Sequence, residues 1–439
     1  MTDFTLWTGC ATVDITPPEG IHMGGYWGRS SGATGIHDRL MAKALVWGRE
    51  GTFSVLVTLD LVAVGPEWVQ TLRQMVQTQF AIPAERLMVC CSHTHAGPLT
   101  MPFRGMGEVD SAYLTKVRTA CAHVIKTALA ALGPTAIGYT KIPVQLGINR
   151  RAQRAAVGSV GAQNRSGPVV PYVHVVRLTG VQGVVATLFS HACHPVVLGN
   201  SNHSISGDFA GAAATWIEEQ SGRPALFVNG ACGDINPRIT NGDFADVAAL
   251  GRELGEAVWA AGDILQRVSD PSPKKGQRTK IDLPLIEPPP PWRLGAEKMA
   301  LQLKAEIKKI RDGGGDMWAR KIPEARLEWA QALSEKMRNG RVDTVQPFEI
   351  QVLDLAGIQL LGMEGEIFAR YQLEIEAKYD QAILCGYANG CVGYIPTADE
   401  YACGGYEIDE AYKVFPSLQM VAPASEALIR TKVNQLLSG

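Results

Sequence analysis

"SVLVTLDLVAVGPEWVQTLRQMVQTQFAIPAERLMVCCSHTHAGP", residues 54–98, decides how the chain is read. It opens on an apolar run, SVLVTLDLVAV (54–64), which reads as a buried strand. EWVQTLRQMVQTQF (67–80) follows with apolar residues at helical spacing. RLMVCCSHTH (86–95) reads as the next strand and ends in a Gly-Pro turn. The unit is strand, helix, strand, and it closes on two histidines one residue apart, His93 and His95.

The same alternation continues outward. SAYLTKVRTACAHVIKTALAAL (111–132) has a long helical pattern. PYVHVVRL (171–178) and VVATLFSHACHP (184–195) form a strand pair. DFAGAAATWIEEQSG (208–222) opens a helix on an aspartate. PALFVNGACGDINP (224–237) is a strand running into a glycine-rich turn. Strand-like runs return at 348–366 and 381–396, and 423–437 is helical. The expected class is α/β, a mixed sheet flanked by helices. Composition shifts near 270, and proline bars regular helix at 288–291. Charged helical patterns at 294–311 and 322–337 predict a helical insertion near 285–345, within one domain spanning 1–439.

The 439 residues, 46% hydrophobic, suffice for a large core, and a net charge of -2 offers no basic surface for nucleic acid. No apolar run reaches the roughly 18 residues of a membrane helix, which argues against stable membrane insertion. The N-terminus lacks a basic start followed by an apolar segment, the mark of a secretory signal. The nine cysteines include no C-x-x-C pair, so reduced thiols and a cytoplasmic setting are expected. Cys90 and Cys91, in an apolar run, read as buried filler.

Histidine is scarce, and five of the nine lie in two short stretches: His93 and His95, then His191, His194 and His203. Both stretches follow strands, where α/β sheets build their sites. Residues two apart in extended chain face one side, so His93 and His95 can share a pocket. His191 and His194, three apart, point to opposite faces, and one of them at most joins it. Zinc takes histidine nitrogen and carboxylate oxygen in a roughly tetrahedral shell. No H-E-x-x-H helix is present, so the donors must come from separate strands. Spacing alone does not choose the carboxylate.

Several motifs, in order, make the chain resemble the catalytic domain of the neutral ceramidase family: DITPP (14–18), GGYWG, GIHD (35–38), SHTHAGP, INR (148–150), HPVVLGNSNHSISGD (194–208), GDINP (233–237), GMEGE (362–366) and YANGCVGYIPTADEYACGGYE (387–407). They span nearly the whole chain. The resemblance implies a zinc ion (Zn2+) held by His93, His194, Glu366 and Tyr394. It places Tyr406 and Arg150 at the reacting group, and His95 near the metal without being a principal ligand. His203 and Asn236 fall at substrate-contacting positions. Each has a plainer alternative. Glu366 competes with Glu364 and Arg150 with Arg151, while Tyr394 reads equally as a packed strand aromatic. His203 reads as a loop brace and Asn236 as a turn residue. The chain departs from the family pattern by carrying Asn236 where the family has serine. It also ends without the family's C-terminal immunoglobulin-like domain.

The expected function is therefore a zinc-dependent amidohydrolase of ceramidase-like type, cleaving a linear N-acyl carbon–nitrogen bond of a small soluble substrate with metal-activated water. Two alternatives stand beside it: a zinc esterase or lactonase, and a zinc-binding protein without catalysis.

Overall fold

Apolar runs with no alternating polar residues need both faces covered, and the computed structural model shows what covers them. It describes residues 6–27, 29, 31–151, 163–268, 276–288, 292–313 and 317–438. Eight strands form one continuous path: β1 (Leu6–Asp14), β2 (Met41–Arg49), β3 (Thr52–Leu59), β4 (Leu87–Cys91), β5 (Gly133–Pro143), β6 (Tyr172–Gly180), β7 (Gly183–His191) and β8 (Ala225–Asn229). Their spatial order is β8-β7-β6-β5-β1-β2-β3-β4, and Gln266–Val268 adds to β5 as a ninth strand. The β3–β4 and β7–β8 pairs are parallel and the other neighbours on the path antiparallel, so the sheet is mixed.

Each face buries its own set of side chains. Val55 and Val57 of β3 and Val89 of β4 enter one core with Leu72 and Val76 of α1 (Pro66–Phe80). Helices α2 (Ser111–Ala130), α3 (Asp208–Ser221) and α4 (Phe244–Ala260) join this core through Val124, Phe209 and Leu250. Leu56 and Met88 point the other way, against Leu353, Leu360 and Ile383. Those three belong to a smaller sheet of β9 (Gln277–Pro284), β10 (Val345–Leu355), β11 (Ile358–Met363) and β12 (Ala382–Cys385). Trp47 Nε1 donates to Asp354 O at 2.7 Å across the two sheets. Each fully buried Val or Leu contributes about 1.5–3 kcal/mol, which is why both periodic faces of these strands are apolar.

β9 and β10 pair directly, Pro284 opposite Val345. The chain between them rises as a hairpin of α5 (Trp292–Asp312) and α6 (Met317–Arg338). Within it, Trp329 is buried with Ala296, Ala300 and Leu333, and its Nε1 donates to Leu418 O at 2.8 Å. Of the proline stretch at 288–291, residues 289–291 lie outside the described residues. Two further helices, α7 (Ala369–Lys378) and α8 (Ser425–Ser438), complete the described fold.

The path's end strands, β4 and β8, approach one another. Asn229 Nδ2 donates to Ser92 O at 2.9 Å. Residues 386–389 occupy the seam: Gly386 N donates to Asn229 O at 2.9 Å and Asn389 N to Val89 O at 2.7 Å. The ends of two strands far apart in sheet order are thereby brought together. No helix among the described residues is long and apolar enough to cross a membrane.

Candidate metal centre

β4 ends at Cys91 and β7 at His191, so the histidines beyond them sit in loops rather than in strands. His93 has φ of 69°. That left-handed conformation costs an ordinary residue about 1–3 kcal/mol and is held by two bonds. His93 N donates to Leu61 O at 2.9 Å and His93 Nδ1 to Val62 O at 2.6 Å. His93 and His95 do face one pocket, but not by strand alternation: the strand has ended, and the turn at His93 aims both rings. Across the seam, His194 Nδ1 donates to Cys232 O at 2.6 Å. His95 N donates to Pro195 O at 3.3 Å and joins the two loops.

His93, His95 and His194 thus bring one ring nitrogen each within 4.8 Å of one another, a spacing one ion can span. Glu366 Oε2 lies 3.1 Å from His194 Nε2 and 3.5 Å from His93 Nε2. Glu366–Ile367 and Tyr394–Ile395 form a short parallel pair with Glu366 opposite Tyr394, so these two side chains share a face. Tyr394 Oη accepts from Arg150 Nη2 at 2.8 Å.

Both backbone carbonyls can only accept, so His93 and His194 each carry a proton on Nδ1 and turn Nε2 toward the Glu366 carboxylate. Burial holds His95 well below the ordinary imidazole range and brings His194 down to about 4, with Arg150 adding to the latter. Burial works to raise Glu366, yet the His93 and His194 rings prevail and hold it well below the carboxylate range. Histidine nitrogens gathered around a carboxylate suit a borderline cation such as zinc. His95 Nδ1 is buried without a hydrogen-bond partner. Gly25 makes room for that ring. Its φ is 90°, and a Cβ there would meet His95 Cγ at 2.4 Å.

Arg150 is a hub. Its guanidinium donates to Glu407 Oε1 (2.8 Å), Asn236 Oδ1 (3.0 Å), Gly233 O (2.8 Å) and Tyr394 Oη. Four of its five N–H donors are engaged, so it acts chiefly by holding Tyr394 and Asn236. Arg151 serves elsewhere, bracing Glu400, Glu407 and Gly404 O. Asn236, on a short strand opposite Ile148, is half-buried, as is Tyr406, whose ring lies 6.1 Å from that of Tyr394. Glu364 is apart from the histidines. It accepts from Glu349 N at 2.9 Å, and burial raises it to about 8. His191 also stays out, its Nδ1 donating to Tyr172 O at 2.9 Å. His203 has its Nδ1 3.3 Å from Ser31 Oγ, and its carbonyl accepts from Thr34 N, so it braces this loop.

Three residues escaped the sequence reading. Tyr387 stacks on His93, Glu407 holds Arg150, and Arg29 Nη2 donates to His95 O at 2.6 Å. Glu407 and Tyr387 stand at the two ends of the last motif quoted above. Their partners are too distant in sequence for spacing to reveal.

Beside Arg150 and Tyr406 opens a cavity of about 760 Å³, walled mostly by polar or charged groups, among them Arg151, Asn164, Arg370, Asp399 and Glu400.

The fold is similar to that of a crystal structure of neutral ceramidase from Pseudomonas aeruginosa, with a TM-score of 0.72 at 18% identity. The likeness covers 98% of this chain and 74% of that one. A structure described as ceramidase complexed with C2 gives the same figures. A comparison with curated proteins gives no match. The family model described as neutral/alkaline non-lysosomal ceramidase, N-terminal, matches residues 7–249, more than half of the chain, and the protein belongs to that family.

Proposed function

We propose that the protein is a zinc-dependent hydrolase of linear N-acyl amides, with the ion held by His93, His194, Glu366 and Tyr394. The observation that carries this reading is the convergence of the His93 and His194 Nε2 atoms on the Glu366 carboxylate, with both Nδ1 atoms tied to carbonyls. Two histidine nitrogens and a carboxylate are the donor set that zinc takes. When bound, a zinc ion would supply Lewis acidity toward the scissile carbonyl and acidify water.

The chain's own residues supply the rest. His95, half-buried at the edge of the cluster, takes and returns the proton. Tyr406 donates to the oxygen that gains charge, and a donor of this kind typically contributes about 10²–10³ in rate. Arg150 fixes Tyr394 and turns Asn236 by binding its Oδ1, which leaves the Asn236 amide N–H groups for a substrate oxygen. No side chain at position 236 can be acylated, so the reading requires direct attack by water. The polar cavity beside Tyr406 supports a small substrate with a polar half.

The test is metal analysis of the purified protein, joined to hydrolysis of N-acyl compounds and matched esters followed by mass spectrometry. About one zinc per chain and amide cleavage lost on chelation are expected. Metal-free protein that cleaves amides at full rate would refute the reading, as would faster cleavage of every matched ester.

A further inference from the structure

Tyr387 is fully buried and has a conformation that needs explaining. Its φ is 52°, in the left-handed region that an aromatic residue rarely adopts. Both of its backbone polar groups are committed to the site's framework. Tyr387 N donates to Gly365 O and Cys91 N donates to Tyr387 O, each at 3.2 Å. One bond reaches the residue before Glu366. The other reaches the end of β4, two residues before His93.

Its side chain meets the same two residues. The ring stacks on His93 with centroids 3.9 Å apart and planes 18° from parallel. It stands edge-on to His194, with centroids 6.3 Å apart. The hydroxyl lies 3.4 Å from Glu366 Oε2 and 3.1 Å from Cys232 Sγ. Cys232 in turn offers its carbonyl to His194 Nδ1.

The donor order follows from counting protons. The Tyr387 O–H donates toward Glu366 Oε2. The phenol has then spent its one proton, and the Cys232 S–H donates to Tyr387 Oη. The result is a short chain from thiol to phenol to carboxylate, in a dry setting where such bonds reinforce one another.

We propose that Tyr387 is a positioning residue of the metal centre, which fixes the His93 ring plane by stacking and the Glu366 carboxylate by its hydroxyl without itself holding the ion. This rests on the metal centre proposed above. Partners that orient metal-holding side chains typically change affinity by about 10–100-fold when removed. A tyrosine that merely filled space would not, because phenylalanine fills the same space.

The experiment is zinc affinity of the full-length protein, measured by competition with a chromogenic chelator at fixed pH. It compares wild type, Tyr387→Phe and Tyr387→Leu, with the melting temperature of each metal-free protein as a second readout. Tyr387→Phe should weaken zinc binding by about 10–100-fold while the metal-free melting temperature stays close to that of wild type. Tyr387→Leu, which also loses the stack, should bind more weakly still. Equal zinc affinity in wild type and Tyr387→Phe overturns the proposal. So does a fall in the metal-free melting temperature with no change in affinity, since that is the signature of packing alone. Failure of the wild-type protein to bind zinc would instead overturn the metal centre, a result separable from equal affinity in both.

Discussion

His93 and Asn236 do different work, and their substitutions should rank accordingly. His93→Ala removes a nitrogen that faces Glu366, so zinc content and turnover should both collapse. Asn236→Ala removes one hydrogen bond to Arg150, a contribution of about 0.5–1.5 kcal/mol. It should raise KM by less than about tenfold and leave zinc content intact. Steady-state kinetics with metal analysis checks the ranking, and equal losses in the two variants would contradict it. His191 gives a pH signature instead. Burial lowers it from 6.5 to about 4 in the folded protein. Between these values the unfolded chain binds the extra proton, so stability present above pH 6.5 is lost as pH falls toward 4. The loss is roughly 3 kcal/mol from this residue. Denaturant titrations across that range should show the slope, and His191→Gln should flatten it.

Elements make their own demands. The α5–α6 hairpin is anchored by Trp329, buried among Ala296, Ala300, Leu333 and Leu418. Trp329→Ala should cost about 3–5 kcal/mol of the hairpin's docking, read as faster amide exchange in α5 and α6. Zinc affinity should be unchanged, because the hairpin supplies none of the four proposed donors. Exchange equal to wild type would mean that the hairpin docks by other contacts. The helical character of 294–311 and 322–337 was legible because charge and apolar spacing there are local properties. The loops after β4 and β7 were not. RLMVCCSHTH reads as strand through His95, yet the strand ends at Cys91 because Ser92 N and His93 N bond to Leu59 O and Leu61 O and turn the chain.

The four proposed donors come from positions 93, 194, 366 and 394, and the loops that carry the histidines come together where residues 386–389 join β4 to β8. An ion held there binds the folded chain and not the unfolded one. At 1,000 times Kd it would stabilise by about 4.1 kcal/mol. Chelation should therefore lower the melting temperature, and readdition of zinc should restore it. An unchanged transition would argue against a resident ion. The polar cavity beside Tyr406 belongs to the same scale. A small N-acyl compound should be cleaved faster than long-chain ceramide, since charged walls cannot replace water around an acyl chain without cost. Equal rates on both would refute the small-substrate proposal.

Sequence alone determined the α/β class, the helical insertion and the clustering of scarce histidines, because periodicity and composition act over a few residues. The ordered motifs added the family and a choice of donors. Tertiary structure alone decided that β4 and β8 lie side by side across the seam. It also decided that Arg150 spends its donors on Glu407, Asn236, Gly233 and Tyr394, and that Tyr387 lies against His93. Those pairings join residues scores to hundreds of positions apart. No local pattern carries them, and they exist only after the sheet has curved and both of its faces are buried.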